Sequence, residues 1–272
     1  MTSLPRLLLY VILIVATTLS AFPFLFSILM SVRVPGETFA PGIIPDPPTI
    51  QNYVEIFRAT RLFARWVANS VVVAVVTVLS LVLLSLMAGY AFARIRFPGR
   101  TALFVLMLGA MMVPGQVLWV PNYATLAGLG WVNTYLGLIP GFVGTLTAAI
   151  FLASQFLKSL PRELEEAAML DGLGQYATFV YVILPLTGPV VASLAITGFM
   201  ASWNAFAWPV IVLNSPELFT LPVGLNFFKG MYVTNWALIM AGSVFTTLPV
   251  LAVFLAFQRY FIKGIATLGM KD

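Results

Sequence analysis

The residues that could do chemistry in this chain are carboxylates gathered in one place: Glu163, Glu165, Glu166 and Asp171, with Lys158 and Arg162 just ahead of them. In an enzyme such acids would act as general acid and base, but they would need a nucleophile, a metal or a bound phosphate to act upon. The sequence lacks the usual forms of each, and a serine–lysine pair cannot be assembled within its apolar spans. Its 272 residues include no cysteine and no histidine, which excludes thiol nucleophiles, disulfides, His-ligated metal and imidazole bases. Nowhere is a glycine followed by lysine, so the phosphate-cradling loop G-x-x-x-x-G-K-[ST] is absent as well. We expect no catalytic residue, no metal and no cofactor bound by this chain.

The spacing of the acids points to a different use. Ser159 or Leu160 opens the stretch, Pro161 suits the first turn of a helix, and Glu163, Glu165 and Glu166 fall where the positive helix N-terminus favours anions. Gly172 then stops the helix. Leu164, Ala167, Ala168 and Leu170 give a partly apolar surface, and the paired alanines leave room for another backbone to approach closely. A second short segment, Gly174 to Ile183, leads into Pro185. Helix, glycine hinge and second helix together describe a docking element, with an ordinary amphipathic connector as the alternative on periodicity alone.

The elements that must position this stretch are membrane helices. Hydrophobic residues make up 61% of the chain, charged residues 8%, and the mean hydropathy is +1.01, whereas soluble domains carry about a quarter charged residues. The expected fold is an all-α membrane protein with six transmembrane helices. The first runs from about Leu7 to Val32, the second from Val67 to Ala93, and the third and fourth divide the uncharged stretch from Thr101 to Leu157. Pro121, Asn122, Gly128, Gly130 and Asn133 supply the turn between those two, and Pro114-Gly115 weakens the third internally. The fifth runs from about Leu184 to Leu213 and the sixth from about Val233 to Phe257. Pro35 to Pro48 reads as an exposed loop. Phe57 to Trp66 carries Arg58, Arg61 and Arg65 on one helical face and reads as an interfacial helix, with Ile56, Phe63 and Trp66 turned to lipid.

Inside the six spans there is no Asp, Glu, Lys, Arg or His, so a proton relay has nothing to run on. The net charge of +5 sits at span ends and is not clustered on one face, which argues against a nucleic-acid partner. With the N-terminus cytoplasmic, Arg6, Arg94, Arg96, Arg100, Lys158, Arg162, Arg259, Lys263 and Lys271 share that side, against Arg33, Arg58, Arg61, Arg65 and Lys229 on the other. Both termini and the acidic stretch are then cytoplasmic. On the fifth span, Trp203, Asn204, Phe206 and Trp208 offer aromatic faces and an amide, the means of holding a sugar or polyol on a translocation path. Interfacial anchoring is the alternative for these aromatics, and helix packing for the small residues before them, Ser193, Thr197, Gly198, Ala201 and Ser202.

The order Glu166-Ala167-Ala168, three residues, Gly172, nine residues, Val182, one residue, Leu184-Pro185 resembles the E-A-A loop of binding-protein-dependent ABC importer permeases, with valine where isoleucine is usual at 182. Asn69-Ser70, Val113-Pro114-Gly115-Gln116, Trp203-Asn204, Trp208-Pro209, Leu221-Pro222-Val223-Gly224 and Gln258-Arg259-Tyr260-Phe261 extend the likeness to the carbohydrate-type permeases related to the maltose system, the six-helix partner of the pair. The resemblance implies an ABC type I importer permease fold, a single permease domain over 1–272, a coupling loop over 158–185 and a C-terminal tail over 263–272 that can reach between ATPase subunits. It assigns ATPase coupling to Glu165, Glu166, Ala167, Ala168, Asp171 and Gly172. Implied partners are a second permease subunit in a heterodimer, two copies of a nucleotide-binding ATPase that hold ATP and Mg, and an extracytoplasmic solute-binding protein. The implied location is a bacterial or archaeal cytoplasmic (inner) membrane. A sugar or oligosaccharide is the expected solute; the same machinery for a glycerol phosphate ester, or a stand-alone channel or membrane enzyme, are the alternatives.

Overall fold

The computed structural model describes residues 3–37, 41–229 and 235–269. Helix α1, Ser3–Ser31, carries apolar side chains on every face and buries none of its most hydrophobic window within the protein. At about 1.5 Å per residue its 29 residues exceed the ~30 Å hydrocarbon core. A loop follows, and α2, Gln51–Ala59, is tied back to the end of α1 by Asn52. That fully buried amide donates to the carbonyls of Ser31 (2.9 Å) and Arg33 (2.7 Å), using acceptors that a helix end leaves unpaired.

The arginine-bearing segment departs from expectation. Phe57 to Trp66 is not one interfacial helix: α2 ends at Ala59, Thr60 is extended (φ −151°, ψ 131°), and α3, Phe63–Arg94, starts afresh. Nor do Ile56, Phe63 and Trp66 meet lipid, since all three are fully buried. Phe63 packs edge-on against Phe57 (4.9 Å) and Phe245 (5.3 Å), and Trp66 lies so close over Gly224 that a Cβ there would overlap the indole. Aromatic burial outweighs the periodicity of the three cations, because each ring removes far more apolar surface than an exposed arginine must keep wet.

After α3, Gly99 (φ +79°) opens α4, Arg100–Ala110. The third span is broken as Pro114-Gly115 predicts: α4 and the stretch Gly115–Gly128 are bent by 94°, the second part being a 3₁₀ turn and then α5, Trp119–Gly128. Helix α6, Tyr135–Leu138, and a 3₁₀ turn, Ile139–Phe142, precede α7, Val143–Ser159. The short α8, Glu163–Leu170, follows. Next, α9, Gln175–Thr178, continues through a π turn, Phe179–Ile183, and a 3₁₀ turn, Leu184–Thr187, into α10, Gly188–Trp203. This corrects the expected fifth span. It begins at Gln175 and ends at Trp203, and the segment expected as a second surface helix is its first part. Pro185 and Pro189 have no N–H to donate, so the hydrogen-bond ladder changes register there without ending the rod.

Beyond the break at Asn204 to Phe206 come α11, Ala207–Val212, a 3₁₀ turn at Pro216–Leu218, α12, Leu221–Leu225, a 3₁₀ turn at Asn226–Phe228, and α13, Trp236–Gly269. Among the described residues, four helices are long and apolar enough to cross a membrane, or five if the bent α4–α5 pair is one crossing, and α7 is a shorter apolar helix. The protein is therefore an all-α, multi-pass membrane protein. Met270 to Asp272, the end of the expected tail, lie outside the described residues.

The chain forms two compact units, Met1–Trp66 with Leu221–Val250, and Val67–Thr220 with Leu251–Asp272. In the first, Asn52 and the aromatic cluster around Phe63 are the core. In the second, Leu81, Leu86, Ala149, Ala153, Val190 and Leu194 join α3, α7 and α10. Small residues bring α3 and α7 together: a Cβ on Gly89 would stand 2.7 Å from the Cβ of Ala153 and 3.0 Å from the Ser154 nitrogen. A Gly89→Leu substitution should therefore force those helices apart and cost about 1–3 kcal/mol or more. Gly109→Ala, where nothing lies within 4 Å, should be neutral. Melting temperature in detergent separates the two, and equal melting would contradict this packing.

Candidate functional site

The acidic stretch folds as α8, with Glu163, Glu165 and Glu166 in its first turn. Its end is a Schellman turn. The Leu173 N–H donates to the Ala168 carbonyl (3.0 Å) and the Gly172 N–H to that of Met169 (3.0 Å), while Gly172 takes φ +84°. Space is not the reason for glycine here, since nothing lies within 4 Å of its would-be Cβ; the left-handed backbone is.

The helix has two faces. Glu166, Ala167, Asp171 and Gly172 are exposed, and beside them Met169 and, above all, Leu170 (89% exposed) and Tyr176 (79%) stand out from the surface. Glu165 and Ala168, three positions apart and hence on one side, are buried. The structure thus places all six residues on or just after one short helix and divides them into an outward set of four and an inward pair.

Glu165 has a partner that the sequence analysis did not name. Its Oε1 lies 3.1 Å from the Nε of Arg94, the last residue of α3, and both side chains are almost wholly covered. The same guanidinium donates through Nη2 to the carbonyls of Leu157 (2.7 Å) and Leu160 (2.5 Å), at the C-terminal end of α7. In the structure Leu86, Tyr90 and Ala93 are buried on one stripe of α3, and Arg94, four residues after Tyr90, continues it; the run before Arg94 is apolar or small on every face in the sequence, so the stripe becomes visible only through burial. Of the other arginines in the basic loop, Arg96 is exposed and Arg100 donates to the Ile95 carbonyl (3.1 Å).

The opposite end of α3 is fastened as well. Asn69 donates to the carbonyls of Glu217 (2.9 Å) and Phe219 (2.8 Å). Asn133, itself left-handed (φ 60°), accepts from the Asn214 and Ser215 N–H groups (2.9 Å each) and donates to Ser215 Oγ (2.8 Å). The 26 residues from Asn69 to Arg94 span about 37 Å as helix, more than the hydrocarbon core. The segment 214–219 and α8 therefore belong to opposite sides of the membrane.

The four aromatic and amide positions expected on the fifth span are not brought together, and only Trp203 lies on it. Trp203 is buried and stacked on Phe199 (centroids 5.4 Å apart, 19° between planes). Trp208 is buried over Gly141, among Val73, Leu126, Leu138, Phe142 and Val212. Only Asn204 and Phe206, at the helix break, are exposed, and Asn204 donates to the Met200 carbonyl (3.1 Å).

Residues 81–267 match the family model for the binding-protein-dependent transport system inner membrane component. The chain is 39% identical over 258 residues to the arabinooligosaccharides transport system permease protein AraQ of Halalkalibacterium halodurans, covering 93% of this chain and 92% of that one. It is 32% identical to the trehalose/maltose transport system permease protein MalG of Thermococcus litoralis, covering 98% of each. Among solved structures, a chain of a bacterial ABC transporter involved in import of the acidic polysaccharide alginate superposes with a TM-score of 0.84 at 21% identity, over 94% of this chain and 96% of that one. That likeness gives the fold.

The two faces of α8 can be separated chemically, because the protein has no cysteine of its own. Single cysteines at Ala167 and Leu170 should react with a water-soluble maleimide at least tenfold faster than one at Ala168. Equal rates would mean that α8 does not present the face described.

Proposed function

The chain belongs to the family of binding-protein-dependent transport system inner membrane components, and on that basis we propose that it is one permease subunit of an ATP-driven importer of a sugar or oligosaccharide. The solute class is supported by the relatives that carry arabinooligosaccharides and trehalose or maltose. The observation that carries the mechanism is α8: an acidic helix that turns one charge inward and displays Ala167, Leu170 and a glycine turn, on a chain with no nucleotide-binding loop of its own.

In this reading the outward residues Glu166, Ala167, Asp171 and Gly172 dock on a separate ATPase, present in two copies, which holds ATP and Mg. Glu165 and Ala168 support the docked helix from behind. A second permease subunit completes the pathway, and an external binding protein delivers the solute. Six crossings follow if α4–α5 is one bent crossing and α7 another, its 17 residues reaching about 25 Å. In this reading both termini, α8 and residues 263–272 face the cytoplasm, which the Lys and Arg bias supports, and the membrane is the inner membrane of a bacterium or archaeon. Asn204 and Phe206 line the solute path, and Trp203 and Trp208 hold its wall. ATP binding closes the ATPase pair and α8 moves with it. The permease helices then rock to expose the path alternately on the two sides.

Reconstitution tests this. Proteoliposomes with the second permease and the ATPase should take up labelled arabinotriose, maltose, trehalose or lactose only when ATP and the binding protein are present, and this chain alone should take up none. Uphill uptake by the chain alone would refute the reading. Gly172→Val, which places a β-branched residue at φ +84°, and Ala167→Trp should each lower uptake at least tenfold while ATP hydrolysis continues; full uptake by both would contradict docking through α8.

A further inference from the structure

We propose that Arg94 is the positioning residue that transmits the movement of α8 into the membrane, acting as a strap that stays closed throughout the transport cycle, with Glu165 turned inward to Arg94 and not outward to the ATPase. The inference rests on the importer reading above and deepens it.

The geometry favours a strap in three respects. First, α8 has only eight residues, too few to persist as an isolated helix, and its outer face is exposed, so its hold on the rest of the protein comes from the inward side. That side packs on α9 and the π turn after it, and its buried side chains are a small apolar one, Ala168, and a charged one, Glu165, paired with Arg94. Second, the guanidinium joins three elements at one point: the end of α3, the last carbonyls of α7 and the first turn of α8. An arginine can do this because one extended planar cation reaches two carbonyls through Nη2 while its Nε side stays against the carboxylate, whereas a lysine ammonium is a single mobile point charge. Third, the pair is covered on both sides. Separating it would leave a charge buried without a partner, a strongly unfavourable state, so a load applied to α8 is passed on before the contact opens. Topology alone does not ask for Arg94, since Arg96 and Arg100 already mark that side of the membrane.

The route continues along α3. This is a single helix from Phe63 to Arg94, and at its far end Asn69 grips the carbonyls of Glu217 and Phe219. Displacement of α8 therefore reaches the opposite side through one rigid rod.

The test uses the reconstituted complex and measures solute taken up per ATP hydrolysed, with whichever of arabinotriose, maltose, trehalose or lactose the wild type transports. Arg94→Gln and Glu165→Gln should each lower that ratio at least fivefold. The double variant Arg94→Cys/Glu165→Cys should show the same loss, and bridging its two thiols with a short bifunctional reagent should restore at least half of the wild-type ratio. The proposal is overturned if the single variants keep the wild-type ratio, or if bridging abolishes uptake, which would mean the two residues separate during the cycle. It is equally overturned if uptake and hydrolysis fall together because the ATPase dissociates, or if the variants do not assemble, since the contact then serves docking or folding. Absence of ATP-driven uptake in the wild-type complex would instead sink the importer reading itself.

Discussion

The hydrocarbon core of a bilayer has no water with which to bond a peptide group, and each group left unpaired there costs several kcal/mol. Much of this chain can be understood from that single penalty. Its crossings are helices because a helix satisfies its own backbone, and the hydroxyls within them bond back to carbonyls four residues earlier: Ser193 to Pro189, Thr197 to Ser193, Ser243 to Ile239, Thr247 to Ser243. Where the ladder is interrupted, protein supplies the missing partners or cover. The segments on either side of Asn204 are flanked by buried Trp203 and Trp208, and the Asn133 turn spends nearly all its amide valence on the backbone and hydroxyl of residues 212–215.

The same penalty drives charge to the ends of the helices, and there it becomes useful. Arg94 stands where α3 leaves the apolar region, close enough to bond the Leu157 and Leu160 carbonyls at the end of α7 and to neutralise Glu165 at the start of α8. Helix ends with orphan acceptors are thus tied together by a cation. Neutral amides do the equivalent at the other end, where Asn69 and Asn133 hold a loop made of backbone carbonyls and N–H groups. A rod fixed at both ends by short, directional contacts moves as one body, which is what an alternating-access cycle asks of its parts.

How much of this was legible in the residues depended on whether the signal was local. Hydropathy located the first, second and sixth spans, Pro114-Gly115 located the break, and Gly172 located the end of α8, because each reports a property of a few consecutive residues. The fifth span was misplaced: Pro185 read as a start, yet two prolines in a long apolar rod only shifted its hydrogen-bond register. The Arg58, Arg61, Arg65 spacing read as an amphipathic helix, but Phe63 and Trp66 had tertiary partners, Phe245 and Gly224, that lie far away in sequence. Trp208 suffered the same fate, buried over the distant Gly141, and Trp203 is buried as well. The ion pair between residues 94 and 165 joins positions 71 apart; Arg94 read as one cation of a basic loop, and nothing local indicated that it turns inward or toward what.

The burial of those two tryptophans bears on how such a permease selects its solute. Rejecting an analogue that lacks one hydroxyl takes several convergent polar groups that would be left unpaired by the wrong ligand. At the break that follows the fifth span the chain exposes one amide, already donating to the Met200 carbonyl, and one phenyl ring, Phe206. A ring face and half an amide can accompany a sugar along a path, since they reward any apolar sugar face and any hydroxyl, but they penalise few substitutions. Under the importer reading, the discrimination between one oligosaccharide and another falls to the external binding protein and the second permease subunit. The composition of this chain, 8% charged, then suits a pathway that binds weakly and moves as a unit, with the charges it retains placed at the joints.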